Sequence, residues 1–76
     1  MKELLTYIAK NLVNDPDAVS VTETQQGEEI IFDLHVAPDD MGKVIGRHGR
    51  IAKEIRTLMK AAGNRQNKKV SVEIVD

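Results

Sequence analysis

Two glycines three positions apart, Gly46 and Gly49, enclose Arg47 and His48 and are flanked by Lys43 and Arg50. Backbone without a Cβ can turn sharply and let a ligand come close to its N–H groups. Arg, Lys and His side chains supply charge-assisted hydrogen bonds to phosphate oxygens. The chemistry open to such a segment is therefore the binding of anions, phosphate above all. G-x-x-G alone is a common coincidence, and the surrounding charge is what lends it weight. Residues 43–69 carry nine cationic side chains against one carboxylate, Glu54, whereas residues 1–42 carry nine carboxylates against Lys2 and Lys10. A merely solvated helix ordinarily mixes both signs. Despite a net charge of −1, this segregation predicts one edge built for a polyanion.

Other chemistries find little support. The chain has no cysteine, which removes disulfides, thiolate nucleophiles and cysteine zinc sites. His35 reads as a surface strand residue, and its distance from His48 along the chain does not match the local ligand spacings of zinc sites. Ser20 and Ser71 do not assemble with these histidines into a nucleophile and base, so the sequence reads as a non-enzyme without a cofactor. Tyr7 and Phe32 are the only aromatic residues, too few for the base-stacking platform of an RRM sheet or an OB groove. No apolar run approaches the roughly 18 residues of a spanning helix, and Met1-Lys2-Glu3-Leu4-Leu5 lacks the apolar stretch of a signal peptide. A cytoplasmic protein without membrane contact is expected.

The charged loop needs elements to hold it. Lys2 to about Asn14 sets Leu4, Leu5, Ile8, Ala9, Leu12 and Val13 at helical spacing, and Asn14-Asp15-Pro16 stops the run. Ala18 to about Gln25 alternates, Val19 and Val21 opposite Ser20 and Thr22. Gln26-Gly27 reads as a turn into a second strand, Glu28 to Ala37, with Ile30, Phe32, Leu34 and Val36 facing one way and Ile31, Asp33 and His35 the other. The pair predicts a hairpin. Pro38-Asp39-Asp40 supplies a helix start, since an Asp side chain can cap the first free N–H groups. A short helix follows through Ile45, and the glycine loop interrupts it. A longer helix then runs from Arg50 to about Ala62 with Ile51, Ile55, Leu58, Met59 and Ala62 on its inner face. Gly63-Asn64 reads as its C-cap. Lys68 to Val75 reads as a third strand, Val70, Val72 and Ile74 alternating with Ser71, Glu73 and Val75.

This order predicts an α+β fold, α-β-β-α-α-β, forming a single domain over residues 1–76. A strand, a helical crossover and a further strand return right-handed and parallel, giving a three-stranded mixed sheet with helices packed on one face. The open face would carry Ser20, Thr22, Asp33, His35, Ser71 and Glu73, with Ile31 and Val75 as apolar exceptions suited to a partner. At about 100° per residue, Arg50, Lys53, Arg56 and Lys60 fall within an arc of about 120°, so the basic stripe continues from the loop along the last helix. Gly42, costly inside a helix, fits close passage of a ligand or partner.

The run from Met41 through Gly42-Lys43-Val44-Ile45-Gly46-Arg47-His48-Gly49-Arg50-Ile51-Ala52-Lys53-Glu54-Ile55 to Arg56 resembles the K-V-I-G-x-x-G-R-x-A-x-x-I-R signature of small bacterial KH proteins. Over its whole length the chain looks like the KhpA family. A helix and strand ahead of a strand-helix-helix-strand core is similar to the type II, prokaryotic arrangement of KH domains. KH modules clamp about four nucleotides of backbone with the GxxG loop. The resemblance implies a single-stranded RNA ligand held by Gly42, Lys43, Val44, Ile45, Gly46, Arg47, His48, Gly49, Arg50, Lys53 and Arg56. The backbone would lie at the loop and the bases over Val44, Ile45 and the neighbouring strand. It further implies a homodimer, a heterodimer with a larger KhpB or Jag-type KH protein, and work as a post-transcriptional regulator or RNA chaperone. Two other readings compete. One is a helix-turn-helix DNA binder, which the hairpin ahead of the two helices disfavours. The other is an interaction module in which Gly42, Ile31 and Val75 mark subunit contacts and RNA is incidental.

Overall fold

The computed structural model describes residues 1–75 of the chain. Helix α1 (Lys2–Leu12) leads through a 3₁₀ turn (Pro16–Ala18) into strands β1 (Ser20–Gln26) and β2 (Glu29–His35). A second 3₁₀ turn (Pro38–Asp40) runs into the short helix α2 (Met41–Ile45), a third (Arg47–Gly49) into the long helix α3 (Arg50–Arg65), and β3 (Lys69–Val75) follows. The sheet order is β1-β2-β3, with β1 antiparallel and β3 parallel to the central β2. This is the α+β fold with a three-stranded mixed sheet that the element order predicts.

Strand alternation sorts the side chains. Ile30, Phe32 and Leu34 of β2 and Val70 and Val72 of β3 are buried on one face, under Leu5 and Ala9 of α1, Val44 of α2, and Ile55 and Met59 of α3. In cross-section Phe32 lies between Glu23 and Val72, and Leu34 between Val21 and Ile74. Phe32, Leu5, Leu34, Met59 and Val44 are closed off entirely, each contributing about 1.5–3 kcal/mol over an exposed position. Beyond Val21 the edge strand β1 is exposed throughout, while its partner β2 stays covered at Ile30 and Phe32. On the open face Ile31 and Val75 are half-buried and Ser20, Thr22 and Glu73 exposed.

Four local expectations need correction. The hairpin turn is Gly27-Glu28 rather than Gln26-Gly27, because Gln26 pairs with Glu29 and Gly27 takes the positive φ of +62° that the first turn position of a two-residue hairpin demands. Second, α3 does not stop at Gly63-Asn64. It runs to Arg65, and Asn67 at φ +57° makes the left-handed exit. The Lys68 N–H donates to the Gly63 carbonyl at 2.9 Å and the Asn67 N–H to the Asn64 carbonyl at 3.2 Å, the paired bonds of a Schellman ending. Third, Leu58, read as an inner-face residue, is 54% exposed, because the buried stripe is Ala52, Ile55, Met59 and Gly63, rotated away from it. Fourth, no Asp side chain caps α2. The 3₁₀ turn itself supplies the acceptors, the Asp40 N–H donating to the Ala37 carbonyl at 2.8 Å and the Met41 N–H to the Pro38 carbonyl.

Gly63 thus serves packing. A Cβ there would stand 2.5 Å from Val70 Cγ2 and 2.9 Å from the Lys68 carbonyl oxygen, so α3 can lie on β3 only where the side chain is missing. Exposed, a Gly→Ala change within a helix would stabilise by about 1 kcal/mol. Here overpacking, typically about 1–3 kcal/mol, outweighs that gain. Gly63→Ala is expected to lower the urea midpoint, with a net loss of about 1 kcal/mol or more; an unchanged or raised midpoint would contradict this packing.

Candidate nucleic-acid interface

Helix α2 is five residues long, too short to hold itself together, since isolated helices below about 12 residues are marginal in water. Its position is set by what it inserts. Val44 is 0% exposed within the core, and Met41 packs half-buried against the same cluster. The outward side presents Gly42, Lys43 and Ile45, the last 37% exposed. A Cβ at Gly42 would meet nothing within 4 Å, so that flank of α2 is open.

At Gly46 the chain leaves α2 with φ +75° and ψ 175°, its N–H donating to the Gly42 carbonyl at 2.9 Å. That combination belongs essentially to glycine. The space is closed as well, since a Cβ would stand 2.6 Å from Ile51 Cγ1. One tight turn follows, closed by the Gly49 N–H donating to the Gly46 carbonyl at 3.2 Å. His48 (φ 59°, ψ 24°) and Gly49 (φ 73°, ψ 15°) are both left-handed. For His48 this conformation costs on the order of 1 kcal/mol, a strain that places its side chain and that of Arg47 outward, both exposed.

Gly49 is the residue ahead of α3, and no side chain caps that helix. As at the start of α2, the preceding 3₁₀ turn supplies an acceptor, the Arg50 N–H donating to the Arg47 carbonyl, and the macrodipole of the sixteen-residue α3 leaves a positive end facing the loop. The cationic side chains around it are not paired with acids. Among the described residues the single ion pair joins the chain terminus to Glu3 at 3.6 Å, so Lys43, Arg47, Arg50 and Lys53 have no carboxylate within pairing distance. All four of these side chains are exposed. The surface near them is shallow, an open depression lying along α3 between Arg50, Lys53, Glu54, Thr57 and Leu58.

The fold therefore brings Lys43, Gly46, Arg47, His48, Gly49, Arg50 and Lys53 to one end of the helix pair, with Gly42 and Ile45 on the adjoining open flank. Two of the site residues named from sequence sit elsewhere. Val44 points into the core and cannot lie under a base. Arg56 leans away from the stripe, its Nε–H donating to the Val72 carbonyl of the edge strand β3 at 3.2 Å. Sequence reading also missed the place of Asp40, which is 2% exposed. Its Oδ2 accepts the Asp15 N–H at 3.0 Å, across the molecule rather than within its own helix. The signal was the spacing: Asp40 precedes the core residue Val44 by four positions, about one turn at helical periodicity.

A helix and strand before a strand, two helices joined by a GxxG turn and a parallel return strand define a type II KH domain. Residues 2–74 match the family model described as KhpA/KhpB, KH domain, and the chain belongs to that family. Among its relatives, proteins named "RNA-binding protein KhpA" from Clostridium acetobutylicum and Clostridium perfringens are each 59% identical over 75 residues, covering 99% of this chain and all of theirs. A protein of the same name from Chlamydia trachomatis is 50% identical over 76 residues, covering this whole chain and 97% of its own. Among the described residues no helix is long and apolar enough to cross a membrane, and no three His, Cys, Asp or Glu side chains stand together as metal ligands.

The two glycines answer to different constraints, and substitution separates them. Gly46→Ala meets both a forbidden backbone region and the Ile51 side chain, and should cost at least about 2 kcal/mol. Gly49→Ala has open space around it and meets only the left-handed penalty, about 1 kcal/mol. Denaturation midpoints in the order wild type, Gly49→Ala, Gly46→Ala are expected. Equal losses would mean that the contact with Ile51 is not what reserves position 46 for glycine.

Proposed function

We propose that this chain, acting as one KH domain over residues 1–76, is an RNA-binding protein that holds a short unpaired RNA stretch by its backbone. The observation that carries the reading is the positive N-terminal end of α3, which no side chain caps, beside Lys43, Arg47, His48, Arg50 and Lys53, none of which forms an ion pair among the described residues. Phosphates would lie against the Gly46–Gly49 turn, where the missing Cβ atoms allow a close approach, with Arg47 and His48 reaching their oxygens. Bases would extend over Gly42 and Ile45, the open flank of α2, where Ile45 offers apolar contact. Arg56 stands at the β3 edge and would meet bases rather than phosphates. The names of the relatives, RNA-binding proteins all, agree with this ligand.

With so few contacts the mode is equilibrium binding of modest specificity, in keeping with a cytoplasmic post-transcriptional regulator or RNA chaperone rather than an enzyme. Duplex DNA fits poorly, because α2 has only five residues and the left-handed turn after it is not the connection of a helix-turn-helix. Membership of a family that spans KhpA and KhpB domains supports pairing with a KhpB or Jag-type partner, and a homodimer is the other assembly open to the chain. The exposed Leu4, Tyr7 and Leu58 leave apolar surface for such contacts.

Charge reversal at the loop tests the ligand. Arg47→Asp with His48→Asp is expected to leave the circular dichroism spectrum and melting temperature nearly unchanged, since both side chains are exposed and Asp tolerates the left-handed region. It should abolish binding to a fluorescent single-stranded oligoribonucleotide. In wild type, each phosphate contact adds roughly 0.7 to the slope of log affinity against log salt, so Arg47→Ala should lower the slope by about that amount. Undiminished affinity in the folded double variant, or tighter binding of duplex DNA at equal salt, would reject the proposal.

A further inference from the structure

We propose that Asp40 is a positioning residue for the glycine loop: its buried carboxyl, by accepting the Asp15 N–H, latches the α1–β1 connection onto the base of α2 and so sets where Lys43 and Gly46–Gly49 stand. The functional consequence rests on the RNA-binding reading above, whereas the geometric one does not.

Asp40 is the one polar side chain closed off among the described residues, at 2% exposure. Burying an acid is costly unless its oxygens find donors, so its contact is informative. That contact is not a helix cap, because the 3₁₀ turn Pro38–Asp40 already supplies the acceptors at the start of α2. It reaches instead to residue 15, twenty-five positions away, at 3.0 Å. Asp15 lies at the start of the turn Pro16–Ala18 and receives nothing from Asp40 that its own helix needs; its carbonyl serves the local bond from the Ala18 N–H at 3.2 Å. The bond therefore joins two separate parts of the chain.

What it joins matters because α2 has so little to hold it. Five residues cannot form a self-sustaining helix, and the glycine turn after it has no side chain at two of its four positions to pack. The segment is held at Val44, at Met41 and at Asp40. Val44 and the half-buried Met41 fix the depth of α2 in the core, but both contacts are apolar and non-directional. The Asp40 bond, just ahead of α2, supplies a directional anchor that fixes its rotation. Losing it would let the loop wander while the sheet and α3 stayed folded.

Asp40→Asn and Asp40→Ala, compared with wild type, separate latch from ballast. Asn keeps an oxygen acceptor at the same place; Ala removes it. A control of similar stability loss, Val70→Ala, lies at the other end of the sheet, where Val70 pairs with Ile30. Amide hydrogen exchange of residues 41–49 reads the geometry without RNA, and oligoribonucleotide titration reads its consequence. In Asp40→Ala, exchange in that segment is expected to quicken by about tenfold and RNA affinity to fall by about tenfold, the scale of one lost hydrogen bond. Asp40→Asn should stay within about twofold of wild type, and Val70→Ala should leave exchange at 41–49 alone. Should Asp40→Ala not fold, Asp40→Ser, one atom too short to reach Asp15, takes its place. Unchanged exchange in the Ala or Ser variant, equal damage in Asp40→Asn, or the same effect in Val70→Ala would overturn the proposal. Absence of RNA binding by wild type would instead reject the functional reading, with the exchange result still deciding the latch.

Discussion

The passage of the chain from α2 into α3 turns on Gly46. There the backbone takes φ +75° with ψ 175° while the Ile51 side chain occupies the space a Cβ would need. This close approach lets Ile51 pack against the core while the chain beyond Gly46 passes through a single tight turn into α3. Two helices therefore meet almost without a connecting segment, and the amide end of α3 is exposed next to Lys43 of α2. A longer or straighter connection would separate the cations of the two helices and bury neither end of the turn. The left-handed His48 (φ 59°) and Gly49 (φ 73°) belong to the same tight turn, since only four residues separate α2 from α3.

Around that turn the molecule is electrically divided. Acidic side chains belong largely to the first half of the chain, cationic ones to α2, the loop, α3 and the start of β3. The fold does not neutralise them against one another; among the described residues no Lys or Arg side chain pairs with a carboxylate. Pairing at an exposed surface would contribute only about 0–1 kcal/mol in any case. Leaving the charges free costs the fold little and leaves a positive end for a phosphate chain. The core bears the stability, through Phe32, Leu34, Leu5, Met59 and Val44.

The architecture was legible because it rests on periodicity. Ile30, Phe32, Leu34 and Val36 alternate, and α1 repeats its apolar residues at helical spacing, so element type, order and the parallel return of β3 could all be read. Boundaries and caps were less so. Gly63 looks like a stop signal, yet it is buried where α3 touches β3, and the exit falls to Asn67. Both residues can end a helix, and only the distance to Val70 tells which one does. Leu58 belongs to the apolar stripe by composition but falls outside the face that α3 turns to the sheet.

The candidate site divides in the same way. The glycine spacing, the clustering of positive charge and the family signature are properties of the linear chain, because backbone freedom and side-chain charge belong to residues wherever they stand. Which members of the basic arc face solvent, that Val44 is core and not groove, that Arg56 reaches a strand carbonyl, and that Asp40 holds Asp15 are matters of packing. Each depends on which residue from a distant part of the chain arrives alongside, and that is decided only when the helices settle on the sheet.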